Sequence, residues 1–481
     1  MNYRMLGYLL GLLLLLEGAL LSLPMLVSIV YHESPLSFLY TMGIVLLVGV
    51  ALVLQKPKDH RIYAKDGFVM VAGGWILLSL FGALPFVLSG AIPSYVDALF
   101  ETVSGFTTTG SSILTAIEGL PKGILFWRSF THWVGGMGVL VLVLALFPND
   151  NRRSMVLLRA EVPGPQKGKL VPKARQTALI LYGIYVALTV VEMLALLLCG
   201  MPFYDAAVNA LATAGTGGFS VLNASIGGYQ NPAAEWVIAT FMLFFGINFS
   251  LYFFILIGRF RDFFESEELR VYLLLVFGAT VLITVNTLSL SESFSECVRA
   301  AFFQVTSISS TTGFATLDYD ALWPALSKAI LVLLTVVGAM AGSTSGGMKI
   351  SRVIILFKSA IREIRHVLRP RSVNLTRLDG EVLREETVRA TSGYLTVYLL
   401  LLVFGTVLLS LDPFGSLEVS FTAALTSLSN VGPGLGAIGP AGNFAGFSVL
   451  SKLLLSFLML VGRLEIFPML ILFSPTTWKR R

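Results

Sequence analysis

Residues 104–112 read Ser104-Gly105-Phe106-Thr107-Thr108-Thr109-Gly110-Ser111-Ser112, a run of small residues set between long apolar stretches. Threonine mixed with glycine makes poor helix, and glycine weakens a strand. The backbone N–H and C=O groups here are therefore left without regular partners. In lipid each such group costs several kcal/mol, so irregular backbone survives only where protein buries it or a watery cavity wets it. Carbonyls freed in that way can replace the water around a cation.

The flanks decide the class. The 481-residue chain is 55% hydrophobic and only 13% charged, against roughly 25% charged in an average soluble domain. Its mean hydropathy is +0.81. The chain reads as an all-α polytopic membrane protein. Its basic excess, 34 Lys+Arg against 28 Asp+Glu, is too mild for a nucleic-acid partner and serves better as a topology signal. Cys199 and Cys297 lie in or beside apolar stretches without metal-ligand spacing, and His32, His60, His132 and His366 are scattered. No zinc, haem or other cofactor is expected in this chain. The run 5–30 is too long for a signal-peptide core and lacks a small-residue cleavage site, so it is expected to be a retained span.

Stretches of roughly 20 apolar residues suffice to cross a bilayer. Ten are expected, at 5–30, 36–54, 67–89, 123–147, 177–200, 234–258, 271–290, 325–357, 390–411 and 447–473. All but six of the Lys and Arg residues then fall on one face, which includes both termini and is cytoplasmic by the positive-inside rule. The six are Lys122, Arg128, Arg299, Lys328, Lys452 and Arg463.

The four long outer connections are too apolar to be ordinary loops. Each begins with a short amphipathic stretch (95–106, 203–214, 294–309 and 417–428), too short to span, as a re-entrant half-helix would be. Each then breaks at a Thr/Ser/Gly cluster. The clusters align as Thr108-Thr109-Gly110, Thr216-Gly217-Gly218, Thr311-Thr312-Gly313 and Asn430-Val431-Gly432. Four such clusters in register with the hydropathy pattern make an internal repeat of span, half-helix, loop and span. Residues 1–54, two spans, precede it. The units then run over 55–150, 151–265, 266–388 and 389–481. A half-helix entering from outside turns its partially negative C-terminus towards the membrane centre, where it favours a cation. Glycine at the aligned position admits positive φ, which can aim carbonyls inward. Acidic residues gather on the outer connections: Asp97, Glu101, Asp205, Glu235, Glu296, Asp318, Asp320 and Glu418. They would concentrate cations, unless they are solvated loop charges or helix N-terminal carboxylates.

Four such units, preceded by two extra spans, resemble the superfamily of Trk, Ktr and HKT potassium transporters, and its Trk branch rather than the Ktr branch, which lacks the extra spans. The resemblance covers essentially the whole chain. It rests on Ser104–Gly110, on Thr216-Gly-Gly-Phe-Ser220, on Thr311-Thr-Gly-Phe-Ala315 and on Gly462-Arg-Leu-Glu-Ile466. It implies four span–pore helix–span repeats around one central pore in a bacterial inner membrane. The backbone of Thr108, Thr109, Thr216, Gly217, Thr311, Thr312, Asn430 and Val431 would then bind K+ beside filter glycines Gly110, Gly218, Gly313 and Gly432. Glycine at all four positions is similar to the potassium-selective members. Asn430-Val431-Gly432-Pro433 departs most from the pattern.

Two further stretches take meaning from the resemblance. Within the expected span 325–357, Gly338, Gly342, Gly346 and Gly347 surround Ser343, Thr344 and Ser345, ahead of Lys349. Glycine costs ~1 kcal/mol relative to alanine in a helix, so this stretch should break one, or else serve close helix packing. In Trk-like proteins the matching stretch is an intramembrane gating loop below the filter. Arg463 lies deep in the last span, where an ionisable residue is functional by default. The resemblance makes it an electrostatic barrier in the conduction path; the alternative is a structural partner for Glu465, Glu192 or Glu17. The basic segment 358–389 carries Arg362, Arg365, Arg369, Arg371 and Arg377, suited to anionic lipid or to a soluble partner. The resemblance implies a homodimer resting on a cytosolic TrkA-like ring whose RCK domains bind nucleotides in trans.

The chain has neither a Gly-x-Gly-x-x-Gly after a strand nor a Walker pattern of its own. A membrane enzyme would need clustered His, Asp or Cys, which the sequence lacks. Inverted-repeat transporters have two matched halves rather than four units of one orientation. A less selective Na+/K+ conductor, or an ion-coupled symporter of the same fold, is the closest alternative.

Overall fold

Backbone groups in hydrocarbon must be satisfied within protein, and the apolar runs accordingly fold as helices. The computed structural model describes residues 2–57, 64–138, 174–290, 293–371 and 374–478. Residues 139–147 of one expected span, most of the basic segment 148–176 and residues 479–481 lie outside the described residues. Among those described, the one departure from helix as regular structure is an antiparallel hairpin, Arg377–Leu378 with Glu381–Val382.

Among the described residues, six helices are each long and apolar enough to cross a bilayer: Tyr3–Val30, Leu36–Val53, Lys65–Leu88, Gln176–Leu198, Glu267–Leu290 and Glu385–Leu409. They are the two leading spans and the first span of each unit. The leading pair packs closely through small residues; a Cβ at Gly11 would stand 2.9 Å from the Gly49 carbonyl oxygen.

The second spans of the second, third and fourth units are interrupted; the sequence expects a break in the third, and the other two modify the expected spans 234–258 and 447–473. Helix Lys122–Gly136 ends ahead of Gly138, which has φ 80°. Pro232–Phe245 and Phe249–Leu256 are bent by 93° about Gly246, Ile247 and Asn248. Ala325–Val337 and Ile350–Leu368 are separated by residues 338–349, the break expected from the glycines. Val449–Arg463 and Phe467–Leu472 are separated by Leu464, Glu465 and Ile466, the last two at φ 54° and 68°. Hydropathy averaged over a span registers the breaks at 246–248 and 464–466 poorly, because each is three residues long and holds a single strongly polar residue, Asn248 or Glu465.

Four short helices follow the first spans: Tyr95–Phe106, Phe203–Gly215, Phe294–Ser309 and Leu417–Ser429. Each carries an acidic residue in its first turn, respectively Asp97, Asp205, Glu296 and Glu418, where the carboxylate meets the positive end of the helix dipole. Carboxylates of the long connections and their flanks also tie the structure together. Glu235 pairs with Arg299 at 2.7 Å, and Lys452 with Asp97 at 2.6 Å. Asp320 takes Lys328 at 3.1 Å and the Gly436 N–H at 2.7 Å. Glu101 pairs with Arg128 at 2.6 Å, and Arg128 reaches across to the Ser220 carbonyl at 3.0 Å. Several of the residues expected to draw cations are therefore helix-terminal or paired, holding neighbouring units in register.

Candidate functional site

The four short helices end alike. In each, the residue two places before the aligned glycine takes a left-handed conformation: Thr108 at φ 56°, Thr216 at 55°, Thr311 at 61° and Asn430 at 55°. Its N–H bonds the carbonyl three residues back, and the next N–H reaches five residues back. The latter bonds are Thr109 to Ser104 (2.9 Å), Gly217 to Ala212 (2.9 Å), Thr312 to Ser307 (2.8 Å) and Val431 to Thr426 (3.0 Å). This is a Schellman cap, which ordinarily places glycine or asparagine in the left-handed position. Asn430 fits that preference. A threonine there is β-branched at positive φ, a strain of order 1–3 kcal/mol that persists only where the surroundings enforce it.

The aligned glycines follow at φ 81°, 79°, 83° and 91° for Gly110, Gly218, Gly313 and Gly432. They close a ring. A Cβ at Gly110 would collide with the Gly217 carbonyl oxygen, at Gly218 with that of Thr312, and at Gly313 with that of Val431. At Gly432 it would stand 2.8 Å from the Thr109 oxygen. Each glycine thus abuts the carbonyl just before the next unit's glycine, and the fourth returns to the first. Both the left-handed backbone and the missing Cβ are needed.

Eleven carbonyls in these turns, those of Thr108, Thr109, Gly110, Thr216, Gly217, Gly218, Thr311, Thr312, Gly313, Asn430 and Val431, accept no hydrogen bond from the described residues. The Thr108, Thr109, Thr216, Thr311, Thr312, Asn430 and Val431 residues are fully buried. A buried carbonyl without a donor is costly unless something electropositive meets it. The side chains brace the ring from outside. Thr107 and Thr109 hydroxyls bond at 2.8 Å, Ser310 and Thr312 at 2.7 Å. Asn430 Nδ2 donates to Thr109 Oγ1 at 3.0 Å and to the Met459 carbonyl at 2.9 Å. Asparagine in the fourth unit thereby crosslinks it to the first. His132 packs its ring against Gly217 and, at 4.1 Å between centroids, against Phe219. That ring fills the space a threonine side chain would need, which explains glycine at this place in the second unit.

Residues 338–349 sit directly against this ring. Gly346 donates to Thr311 Oγ1 at 2.7 Å and lies against the Ser429 carbonyl. Met340 donates to the Gly246 carbonyl (3.2 Å), Phe249 to that of Gly342 (3.0 Å), and Thr344 Oγ1 to that of Phe245 (3.2 Å). The break in the third unit is thus bonded to the break in the second. Arg463 supplies the other half of the arrangement: Nη1 donates to the Thr344 carbonyl at 2.7 Å, and Nη2 to those of Gly135 and Gly136 at 2.6 Å. A guanidinium spreads five donors in one plane, so it suits carbonyls from two units at once. Lys349, buried and at φ 76°, bonds the Ser345 carbonyl, and Ser343 and Ser345 hydroxyls bond at 2.7 Å.

The residues of the four aligned clusters lie in the ring, residues 338–349 form the loop against it, and Arg463 ends helix Val449–Arg463 beside the loop. Sequence reasoning missed Arg352, which pairs with Glu465 and lies 4.1 Å over the Tyr394 ring, so Glu465 is engaged away from Arg463. It also missed Glu268, whose carboxylate bonds the backbone on both sides of the loop, and His132. Glu465, two residues after Arg463, carried the signal of a second charge inside a span; His132 carried none.

The comparisons agree with this architecture. Residues 37–480 match the family model of TrkH, described as cation transport protein. The chain is 36% identical over 489 residues to the Trk system potassium uptake protein TrkH of Salmonella typhimurium strain LT2, covering 100% of both. It is 31% identical over 488 residues to the Trk system potassium uptake protein TrkG of Escherichia coli K12, covering 99% of each. The crystal structure of the potassium transporter TrkH from Vibrio parahaemolyticus superposes with a TM-score of 0.90 at 32% identity, covering 100% of both chains. The chain belongs to the TrkH family of cation transport proteins, a multi-pass membrane transporter and not an enzyme.

Proposed function

We propose that the chain takes up potassium across a bacterial inner membrane through a pore whose narrowest part is the ring of four glycine turns. The observation that carries this is the closed ring itself, with buried carbonyls lacking donors at the C-terminal ends of four half-helices. Carbonyl dipoles and the negative helix ends act together on a dehydrated cation. The backbone oxygens of Thr108, Thr109, Thr216, Gly217, Thr311, Thr312, Asn430 and Val431 line the ion path, with Gly110, Gly218, Gly313 and Gly432 allowing the close approach. Family relatives that carry the name of potassium uptake proteins support K+ as the ion.

In this reading residues 338–349 obstruct the path below the ring and move to open it, and Arg463 holds them in the closed position while placing a positive charge beside the route. Both termini lie in the cytoplasm. Two copies pair in the membrane, and a soluble nucleotide-binding ring docks on the basic segment 358–389; the Trk system naming of the relatives supports a multicomponent assembly.

The test is rescue of a potassium-uptake-deficient strain at low external K+, with the soluble partner supplied. Growth is expected from the parent chain. Gly110→Ser and Gly313→Ser are expected to change the ratio of Rb+ to Na+ permeation. No rescue by the parent chain would overturn the reading, and rescue with unaltered ratios in both variants would move selectivity away from the ring.

A further inference from the structure

We infer that Glu267 and Glu268, neighbours in the first turn of helix Glu267–Thr287, join the hairpin Arg377–Val382 to loop 338–349, with Glu268 as the positioning residue that pins the loop. The inference rests on the reading of that loop as the obstruction in the path. One oxygen of Glu268, Oε1, accepts the Ala341 N–H at 2.7 Å and the Ser351 N–H at 3.0 Å. Ala341 lies near the start of the interruption, and Ser351 in the first turn of the helix that resumes after it. A single buried carboxylate oxygen therefore bridges the two ends of the break.

Glu267 faces the other way. Its N–H donates to Asp379 Oδ1 at 2.6 Å, and its Oε2 accepts the Asp379 N–H at 3.3 Å. Its Oε1 pairs with Lys358 at 2.5 Å, and Lys358 also donates to the Arg377 carbonyl at 2.9 Å. Asp379 and Gly380, at φ 51° and 83°, form the turn of the hairpin and are the residue pair that a two-residue turn with two positive φ values favours. A helical turn moves as one body, so a displacement that draws the hairpin and Glu267 away carries Glu268 with it. Hydrogen bonds weaken steeply beyond 3.5 Å, so a shift of about 1 Å releases both ends of the loop together. The remaining ties of the loop run to Thr311, Val336 and Val337 in its own unit and to Gly246, Phe249, Phe245 and Arg463 in other units. Glu268 is the tie that leads to the hairpin.

The experiment follows two quantities in the full-length chain reconstituted alone: Rb+ flux, and the rate at which a water-soluble methanethiosulfonate modifies Ser343→Cys in a Cys199→Ser, Cys297→Ser background. Glu268→Ala is expected to raise both at least fivefold, and Asp379→Ala to raise both by a smaller factor. The double variant is expected to match Glu268→Ala alone. Glu268→Gln, which keeps an acceptor oxygen and the side-chain volume, is expected to fall between the parent and Glu268→Ala. Should Glu268→Ala not yield folded protein, Glu268→Gln and Asp379→Ala carry the test. Unchanged modification rates in folded variants would overturn the inference, as would effects of the two sites that multiply in the double variant. Faster modification without faster flux would support the link and overturn the loop as the obstruction.

Discussion

Gly346 donates its N–H to Thr311 Oγ1 at 2.7 Å, so the loop that interrupts the third unit is bonded to a strained left-handed residue of the carbonyl ring. A movement of the loop therefore cannot leave the ring untouched: it removes the hydroxyl's partner from a backbone that already stores strain. Thr311→Val keeps the β-branched shape but leaves the Gly346 N–H buried without an acceptor, a cost of about 1–3 kcal/mol in that arrangement. Basal Rb+ flux is expected to rise in Thr311→Val and to stay near the parent in Thr311→Ser, measured in proteoliposomes. Equal flux in the two variants would disconnect this bond from loop position.

The ring glycines should differ in tolerance. At Gly110, Gly218 and Gly313 a Cβ would overlap the neighbouring carbonyl oxygen deeply, whereas at Gly432 it stands 2.8 Å from the Thr109 oxygen, a milder clash. All four pay ~1–2 kcal/mol for a side chain in the left-handed region. Alanine at Gly110, Gly218 or Gly313 is expected to cut K+ uptake at least tenfold, and at Gly432 by less. Uptake in the deficient strain ranks the four; Gly432→Ala ranking as the most damaging would mean that ring closure does not set the ion path.

Much of this ring was legible because its physics is local. Thr-Gly clusters after short amphipathic stretches specify a capped helix followed by positive φ, and the four clusters fall where the half-helices end. The cyclic contact of Gly432 with Thr109 was not legible, since it joins residues more than three hundred positions apart. Nor were the breaks at Gly246 and Leu464, because each is three residues long with one polar residue, Asn248 or Glu465, and their partners, Met340 and Arg352, come from elsewhere in the fold. The hairpin had a readable sign in Asp379-Gly380, hidden inside a segment whose arginines drew the attention. The carboxylates of the long connections were legible as acidic but not as paired, since Asp97 meets Lys452 only in three dimensions.

Glu101 and Arg128 make a buried pair that also carries backbone. Glu101 accepts from the Ile113 N–H at 3.0 Å and the Ser112 hydroxyl at 2.9 Å, and the Arg128 guanidinium lies 3.6 Å from the Phe219 ring centroid. Removing one member leaves the other charge buried, at about 3–5 kcal/mol. Arg128→Met and Glu101→Gln are each expected to lower thermal stability by several degrees in detergent, followed by size-exclusion chromatography after heating. The exchanged pair Glu101→Arg with Arg128→Glu is expected not to restore it, because an arginine cannot accept from Ile113. Full recovery would reduce the contact to simple charge pairing.

Asp412, just beyond the end of helix Glu385–Leu409, gives a pH signature. Burial opposes its charge, but the hydroxyls of Ser448 and Ser451 and the N–H groups of Phe414 and Ser448 outweigh it, and its carboxyl is held down to about 2. A depressed carboxyl stabilises the fold fully above its unfolded value of about 4, and that contribution disappears as pH falls through 2. The stability difference between the parent and Asp412→Asn is expected to be constant from pH 7 to about 5 and to shrink below 4. A difference that does not vary between pH 6 and 3 would exclude the ionised carboxylate as the cause.

Arg463 separates two accounts of the same residue, charge and clamp. Its three carbonyl partners come from helix Lys122–Gly136 and from the loop, and the helix-end carbonyls are natural acceptors for a cation. Arg463→Gln retains donors for part of this set without the charge; Arg463→Ala removes both. If charge beside the path limits flux, both variants raise Rb+ flux alike and steepen its dependence on driving force. If the clamp dominates, Arg463→Ala raises flux and speeds modification of Ser343→Cys well beyond Arg463→Gln, because the Thr344 carbonyl then has no donor from this side. The bonding favours the clamp, and the expected result is an alanine effect at least threefold larger than the glutamine effect. Equal effects in the two variants would return the residue to a purely electrostatic role.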